Sequence, residues 1–110
     1  MRIFKSRWFQ RFAGKEGIAD AVLRGAVVRA EKSQIDADLG GEVIKQRTFI
    51  LIRLGAKAFF VYGFGKSQRA NIKDDDEEQF KEAAKHFLAL TEKQFAELLK
   101  RGDFVEAKSE

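Results

Sequence analysis

The chain has 110 residues, 45% of them apolar and eleven of them Phe, so one domain with a real core can form and wholesale disorder is argued against. With no Cys and a single His, it has no disulfide, thiolate zinc site or Cys nucleophile, and too few imidazoles for a His-based metal site. The net charge of +4 is unevenly spread: residues 1–73 hold 15 Lys/Arg against 6 Asp/Glu, and residues 74–110 hold 6 against 11. A basic body followed by an acidic final third suggests an anionic partner, either nucleic acid or an acidic protein segment.

No stretch of 18 apolar residues is present, so no membrane span is expected. The opening MRIFKSRWFQRF lacks the continuous apolar region and small-residue cleavage site of a signal peptide, which makes the cytoplasm the expected location. There is no Pro, Ser-rich linker or internal repeat, and one domain over 1–110 is expected.

In chain order, Arg2–Lys5 alternates polar and apolar residues and predicts a short edge strand. Ser6 stands at an N-cap position, and Trp8, Phe9, Phe12 and Ala13 follow at helical spacing, read as core. Gly14 and Gly17 are expected to end that helix. Ile18, Val22, Ala26 and Ala30, with Leu23 and Val27, predict a second helix over 18–32. Gly25 inside it costs roughly 1 kcal/mol relative to Ala, so a close helix approach is expected there. Residues 34–41 read as a loop and Val43–Lys45 as a strand.

Residues 47–54 and 57–64 are β-branched and aromatic, and Gly55-Ala56 between them suits a type II′ turn. A two-residue loop pairs Leu54 with Lys57, Arg53 with Ala58, Phe49 with Tyr62 and Arg47 with Phe64. Ile50, Ile52, Phe59 and Val61 then share a core face. Arg47, Phe49, Leu51, Arg53, Phe60 and Tyr62 share the other, which is apolar but bears cations. The acidic run Asp74–Glu78 suits the positive end of a helix carrying Phe80, Ala83, Ala84, Phe87 and Leu88. Thr91-Glu-Lys-Gln94 has the form of a capping box, Phe95, Leu98 and Leu99 supply an apolar face, and Gly102 suits C′. The order β, α, α, β, β, β, α, α predicts an α+β domain.

Cleaving a phosphodiester needs a proton acceptor, a proton donor and cations for the transition-state charge. Lys45, Arg47, Arg53, Lys57, Tyr62, Lys66 and Arg69 lie within or beside the hairpin, with Asn71 just beyond. They could equally form a phosphate-binding surface without catalysis. His86 reads as a partly exposed helix residue, and the acidic run as a solvated helix start rather than a metal site. Gly63 and Gly65 could cradle a phosphate or simply bend the strand end.

The segment FFVYGFGKSQRANI at 59–72 resembles a branch of the RelE/ParE superfamily of bacterial type II toxins, close to the HigB-like group. MRIFKSRWFQRFA, VIKQR, RTFILIR and GDFV match that branch in the same order. The resemblance implies an α+β RelE-like microbial RNase fold, with N-terminal and C-terminal helices packed on a curved antiparallel sheet. It implies a toxin that stops translation by metal-independent cleavage of mRNA on the ribosome, with no cofactor. It implies a cognate antitoxin, expected to be a helix-turn-helix protein encoded nearby, and contact with operator DNA only through the antitoxin complex. By position, Lys66, Arg69, Arg47 and Lys45 take phosphate binding and transition-state stabilisation, and Tyr62 takes stacking or proton handling. Arg53, Lys57 and Asn71 are assigned to RNA and phosphate binding. The superfamily fold also serves ParE-like toxins that act on a topoisomerase without nuclease activity, and a non-catalytic repressor subunit is a third reading.

One departure stands out. Relatives carry a Gly- and Lys-rich loop where VIKQ here meets RTFIL directly. Strands 43–46 and 48–54 are therefore not expected to pair as a hairpin. Either that loop is deleted, or basic residues belong between Gln46 and Arg47.

Overall fold

A computed structural model describes residues 2–46, 48–64 and 74–107. The elements run β1 (Arg2–Ser6), α1 (Arg7–Glu16), α2 (Asp20–Glu31), β2 (Ala37–Gly40), β3 (Val43–Gln46), β4 (Phe49–Leu54), β5 (Lys57–Gly63), α3 (Asp74–Leu88), α4 (Glu92–Arg101) and β6 (Phe104–Glu106). The strands form one sheet in the order β2-β3-β4-β5-β1-β6. Its pairs are antiparallel except β1 with β5, which is parallel. This is the expected α+β class, with two strands beyond the expected set.

The helices cover both faces of the sheet. One core joins Phe9 and Ala13 of α1 and Leu23, Ala26 and Val27 of α2 to Ile44, Phe49, Leu51 and Phe60. The other joins Ala84 of α3 and Phe95 of α4 to Phe4, Val43, Ile50, Ile52, Phe59 and Phe104. Burial on both faces explains why β4 and β5 read as near-continuous apolar runs rather than as half-polar strands. The face expected to be apolar but cation-bearing, with Phe49, Leu51 and Phe60, is a second core.

β1 is not an edge strand. β5 lies on one side of it and β6 on the other, and Ile3 and Phe4 point to opposite faces, each buried in the core on its own face. Ser6 caps α1 through a 3.1 Å bond from the Phe9 amide, and Gly17, at φ 67°, ends it. Gly14 stays inside the helix. In α2 the buried residues are Leu23, Ala26, Val27 and Ala30, while Val22 is exposed. Steps of four residues drift by roughly 40° each on a helix of 3.6 residues per turn, so the expected line from Ile18 through Val22 leaves the core face.

The expected close approach at Gly25 is absent. A Cβ there would meet only the Arg29 Nη1 atom, at an ordinary 3.6 Å. Gly25→Ala should therefore stabilise the fold by about 0.5–1 kcal/mol, read as a rise in the urea midpoint with unchanged slope. A destabilised variant would contradict this packing.

The segment expected as a loop contains β2, which pairs with β3 through Ala37–Lys45 and Asp38–Ile44. Gly40 and Gly41, at φ 83° and 60°, close the turn into β3. β3 and β4 do form a hairpin, contrary to expectation. Gln46 pairs directly with Phe49, so residues 47–48 suffice to join them. The β4–β5 turn has its left-handed residue at Gly55, φ 59°, and pairs Leu54 with Lys57 and Arg53 with Ala58 as expected. The register then shifts between Ile50 and Leu51, so Ile50 faces Tyr62 and Phe49 faces Gly63.

The sheet edge at β6 is tied to β1 by Arg2, whose guanidinium makes two 3.0 Å bonds to the Glu106 carboxylate. Those bonds hold the Glu106 carboxyl below its usual range. A depressed carboxylate pKa stabilises the fold above the unfolded value, and that stability is lost as pH falls through the folded value. Both side chains are about half exposed, so the loss should stay below about 1 kcal/mol. Comparing the acid limbs of Glu106→Gln and the parent chain in urea measures it.

Candidate nucleic-acid site

The hairpin ends collect the site. The Phe64 amide donates to the Thr48 carbonyl at 2.8 Å, so the exit of β5 lies against the β3–β4 connection. Lys45, Ile50 and Tyr62 form one row across β3, β4 and β5. Paired residues of antiparallel strands point the same way, and Ile50 points to the α3/α4 side. Lys45 and Tyr62 therefore share that face, two strands or about 10 Å apart. The register shift is what turns Tyr62 to this side; with the expected pairing it would face α1 and α2.

Tyr62 is gripped by aromatic rings. Trp8 of α1 stacks on it at 4.5 Å and 18°, Phe80 of α3 tilts against it at 5.6 Å, and Phe64 meets it edge-on at 5.4 Å. Trp8 also stacks on Phe12 at 5.4 Å and 14°. Its placement differs from the expected core position: Trp8 is 45% exposed. The helical period carries the signal. Phe9 and Ala13 mark the buried line of α1, and Trp8 lies one residue, roughly 100°, off that line.

Two expected site residues lie elsewhere. Arg53 points to the α2 side and donates from Nη1 to the Ala30 carbonyl at 3.3 Å, near the C-terminal end of α2, where a cation complements the helix dipole. Lys57 sits 3.4 Å from Glu92 and 4.5 Å from the centre of the Phe95 ring, beside α4. Both flank the 55–56 turn, at the end of the sheet away from Thr48 and Phe64. Their charged ends are engaged in holding helices to the sheet. Arg47, Lys66, Arg69 and Asn71 lie outside the described residues.

Two further features of the site escape a reading by residue type. Gln46 is 3% exposed, and its Oε1 has no hydrogen-bond partner among the described residues. Gly63 is a seat rather than a phosphate cradle: a Cβ there would lie 2.6 Å from Cζ of Phe12 and 2.8 Å from Cδ2. His86 is exposed on α3, as expected. Among the described residues no helix is long and apolar enough to cross a membrane.

The sequence profile of the RelE toxin of the RelE / RelB toxin-antitoxin system matches residues 1–107. The chain belongs to the RelE toxin family. No curated protein matches it, and no solved structure does. Membership makes this RelE-family chain the toxin of a toxin–antitoxin system, with an antitoxin as its partner. It also gives the aromatic and cationic hairpin end a context: the match runs through both flanks of the hairpin, including the segment at 59–72.

Proposed function

We propose that this RelE-family toxin stops translation by cutting ribosome-bound mRNA without a metal. The observation that carries the reading is the row Lys45–Ile50–Tyr62, which sets a cation and a phenol on one face beside the hairpin ends leading to Arg47 and to Lys66. In this reading Lys45, Arg47, Lys66 and Arg69 bind the scissile phosphate and stabilise its transition-state charge. Tyr62 stacks on a base or handles a proton, and Asn71 adds a polar contact. Arg53 and Lys57 are left out, because Ala30, Glu92 and Phe95 engage them.

Lys66→Ala combined with Arg69→Ala should abolish growth arrest and codon-linked mRNA cuts while circular dichroism stays unchanged. Each lost cation is expected to lower cleavage by about 10²-fold or more. Arrest by the double variant at the level of the parent chain would overturn the assignment.

One observation favours a second reading. Gln46 is followed directly by Arg47, so the basic loop of relatives is absent from this sequence. A chain with fewer cations suits a non-nuclease toxin acting on a topoisomerase, or a repressor subunit that reaches operator DNA through a helix-turn-helix antitoxin. DNA damage or operator binding without mRNA cuts would select it; ribosome-phased cuts would select the first.

A further inference from the structure

We propose that the exposed stripe Trp8–Arg11–Lys15 of α1 is a second contact site for single-stranded RNA, one that continues outward from Tyr62. The inference rests on the RNA-cleaving reading above for its ligand.

Trp8, Arg11 and Lys15 are spaced i, i+3 and i+7, which puts them on one face of a helix over about 10 Å. Arg11 and Lys15 are exposed, and among the described residues neither has a carboxylate partner. Their neighbours differ. Lys5 pairs with Asp20 and Arg7 with Asp103, each at 2.9 Å, so local acids have been used elsewhere on the same segment. Trp8 leaves nearly half its surface in water although it is the largest aromatic side chain, and burial would have stabilised it. Exposed indole next to unpaired cations is the combination that tracks an unpaired strand: a base packs against the part of the indole that Tyr62 and Phe12 leave open, and phosphates meet the cations.

Position selects RNA over an acidic protein segment. Trp8 touches Tyr62 directly, and Tyr62 shares its row with Lys45, so the stripe is continuous with the face where the reacting phosphate would lie. A strand whose scissile phosphate sits near Lys45 and Tyr62 meets Trp8 next, with Arg11 and Lys15 beyond it along α1. A purely electrostatic partner would have no use for the exposed indole.

Trp8 is the single Trp of the chain, so its emission reports on this site alone. The probe is an oligouridylate with 2′-O-methyl groups, which binds but cannot be cut through its own 2′-oxygen. It should quench Trp8 emission saturably. Trp8→Ala should weaken binding, followed by anisotropy of labelled probe, by about five- to hundred-fold. Arg11→Gln with Lys15→Gln, both on the surface and outside any ion pair among the described residues, should lower the slope of log affinity against log salt by about 1.4, the value for two single-strand phosphates.

Unchanged affinity in Trp8→Ala and an unchanged slope in the double variant would overturn the site. So would probe binding that leaves Trp8 emission unaltered while an acidic antitoxin segment shifts it, since the stripe would then dock protein. Loss of affinity in both variants, in a chain that cuts no mRNA, would uphold the site and overturn the nuclease reading instead.

Discussion

Phe4→Ala should destabilise the fold by about 3–5 kcal/mol, the range for removing a fully buried Phe. Phe4 is 0% exposed, in a strand held between β5 and β6. Its ring stacks on Phe59 at 5.4 Å and meets Phe95 edge-on at 4.8 Å. Phe59 in turn contacts Phe87 and Phe104 at 5.2 and 5.5 Å. Five rings from β1, β5, α3, α4 and β6 thus share one centre. Its loss would leave a cavity that backbone hydrogen bonds on both sides prevent from collapsing. A domain of this size has about 5–15 kcal/mol in total, so at least about a fifth of it would go. Melting temperature should fall by about 12–20 °C, and Phe4→Leu should recover most of it. A loss below about 1 kcal/mol would mean that β1 is not the interior strand described above.

Legibility in the sequence followed how local each feature is. Ser6, the capping box at Thr91–Gln94 and the left-handed Gly102 are local backbone chemistry, and each sits where its residue type predicts. The Gly55-Ala56 turn likewise set the first pairs of the hairpin. The misses depend on distant partners. β1 reads as an edge because its neighbours β5 and β6 are more than fifty residues away in sequence. β2 does alternate, with Ile35, Ala37 and Leu39 half-buried between exposed Asp36 and Asp38, but the Gly-Gly that follows drew the reading toward a loop. The three-residue β6 carries too little pattern to show at all.

The candidate residues were legible in composition, and their arrangement was not. Lys45 and Tyr62 emerged from the cation and aromatic inventory, and they do share a face. They share it because of one register shift near Ile50, and Gly63 signals only a bend at the strand end, not which pair shifts. The same inventory swept in Arg53 and Lys57, whose partners Ala30 and Glu92 lie 23 and 35 residues away. A cation count cannot tell a phosphate ligand from a helix tether; only the fold separates them.

Gly63→Ala joins fold and site in one measurement. The new methyl would overlap the end of the Phe12 ring, since Cζ and Cδ2 lie 2.6 and 2.8 Å from the Cβ position and Cε2 closer still. Phe12 has little room to yield: it stacks on Trp8 at 5.4 Å and leans on Phe9 at 5.6 Å, and Phe9 is fully buried. The overlap should cost about 1–3 kcal/mol and lower the melting temperature by about 4–12 °C. Because Phe12, Trp8 and Tyr62 form a continuous stack, the displaced ring should carry Trp8 with it. Emission of that single Trp should shift in the folded state, and growth arrest by the toxin should weaken even at temperatures where the variant is fully folded. Gly63→Ala combined with Phe12→Leu removes the clashing ring end, so the pair should be more stable than the sum of the single changes predicts, by a coupling of about 0.5–3 kcal/mol. Strict additivity would mean that the methyl is accommodated by movement of β5 instead, and that the ring stack is not what holds Tyr62 in place.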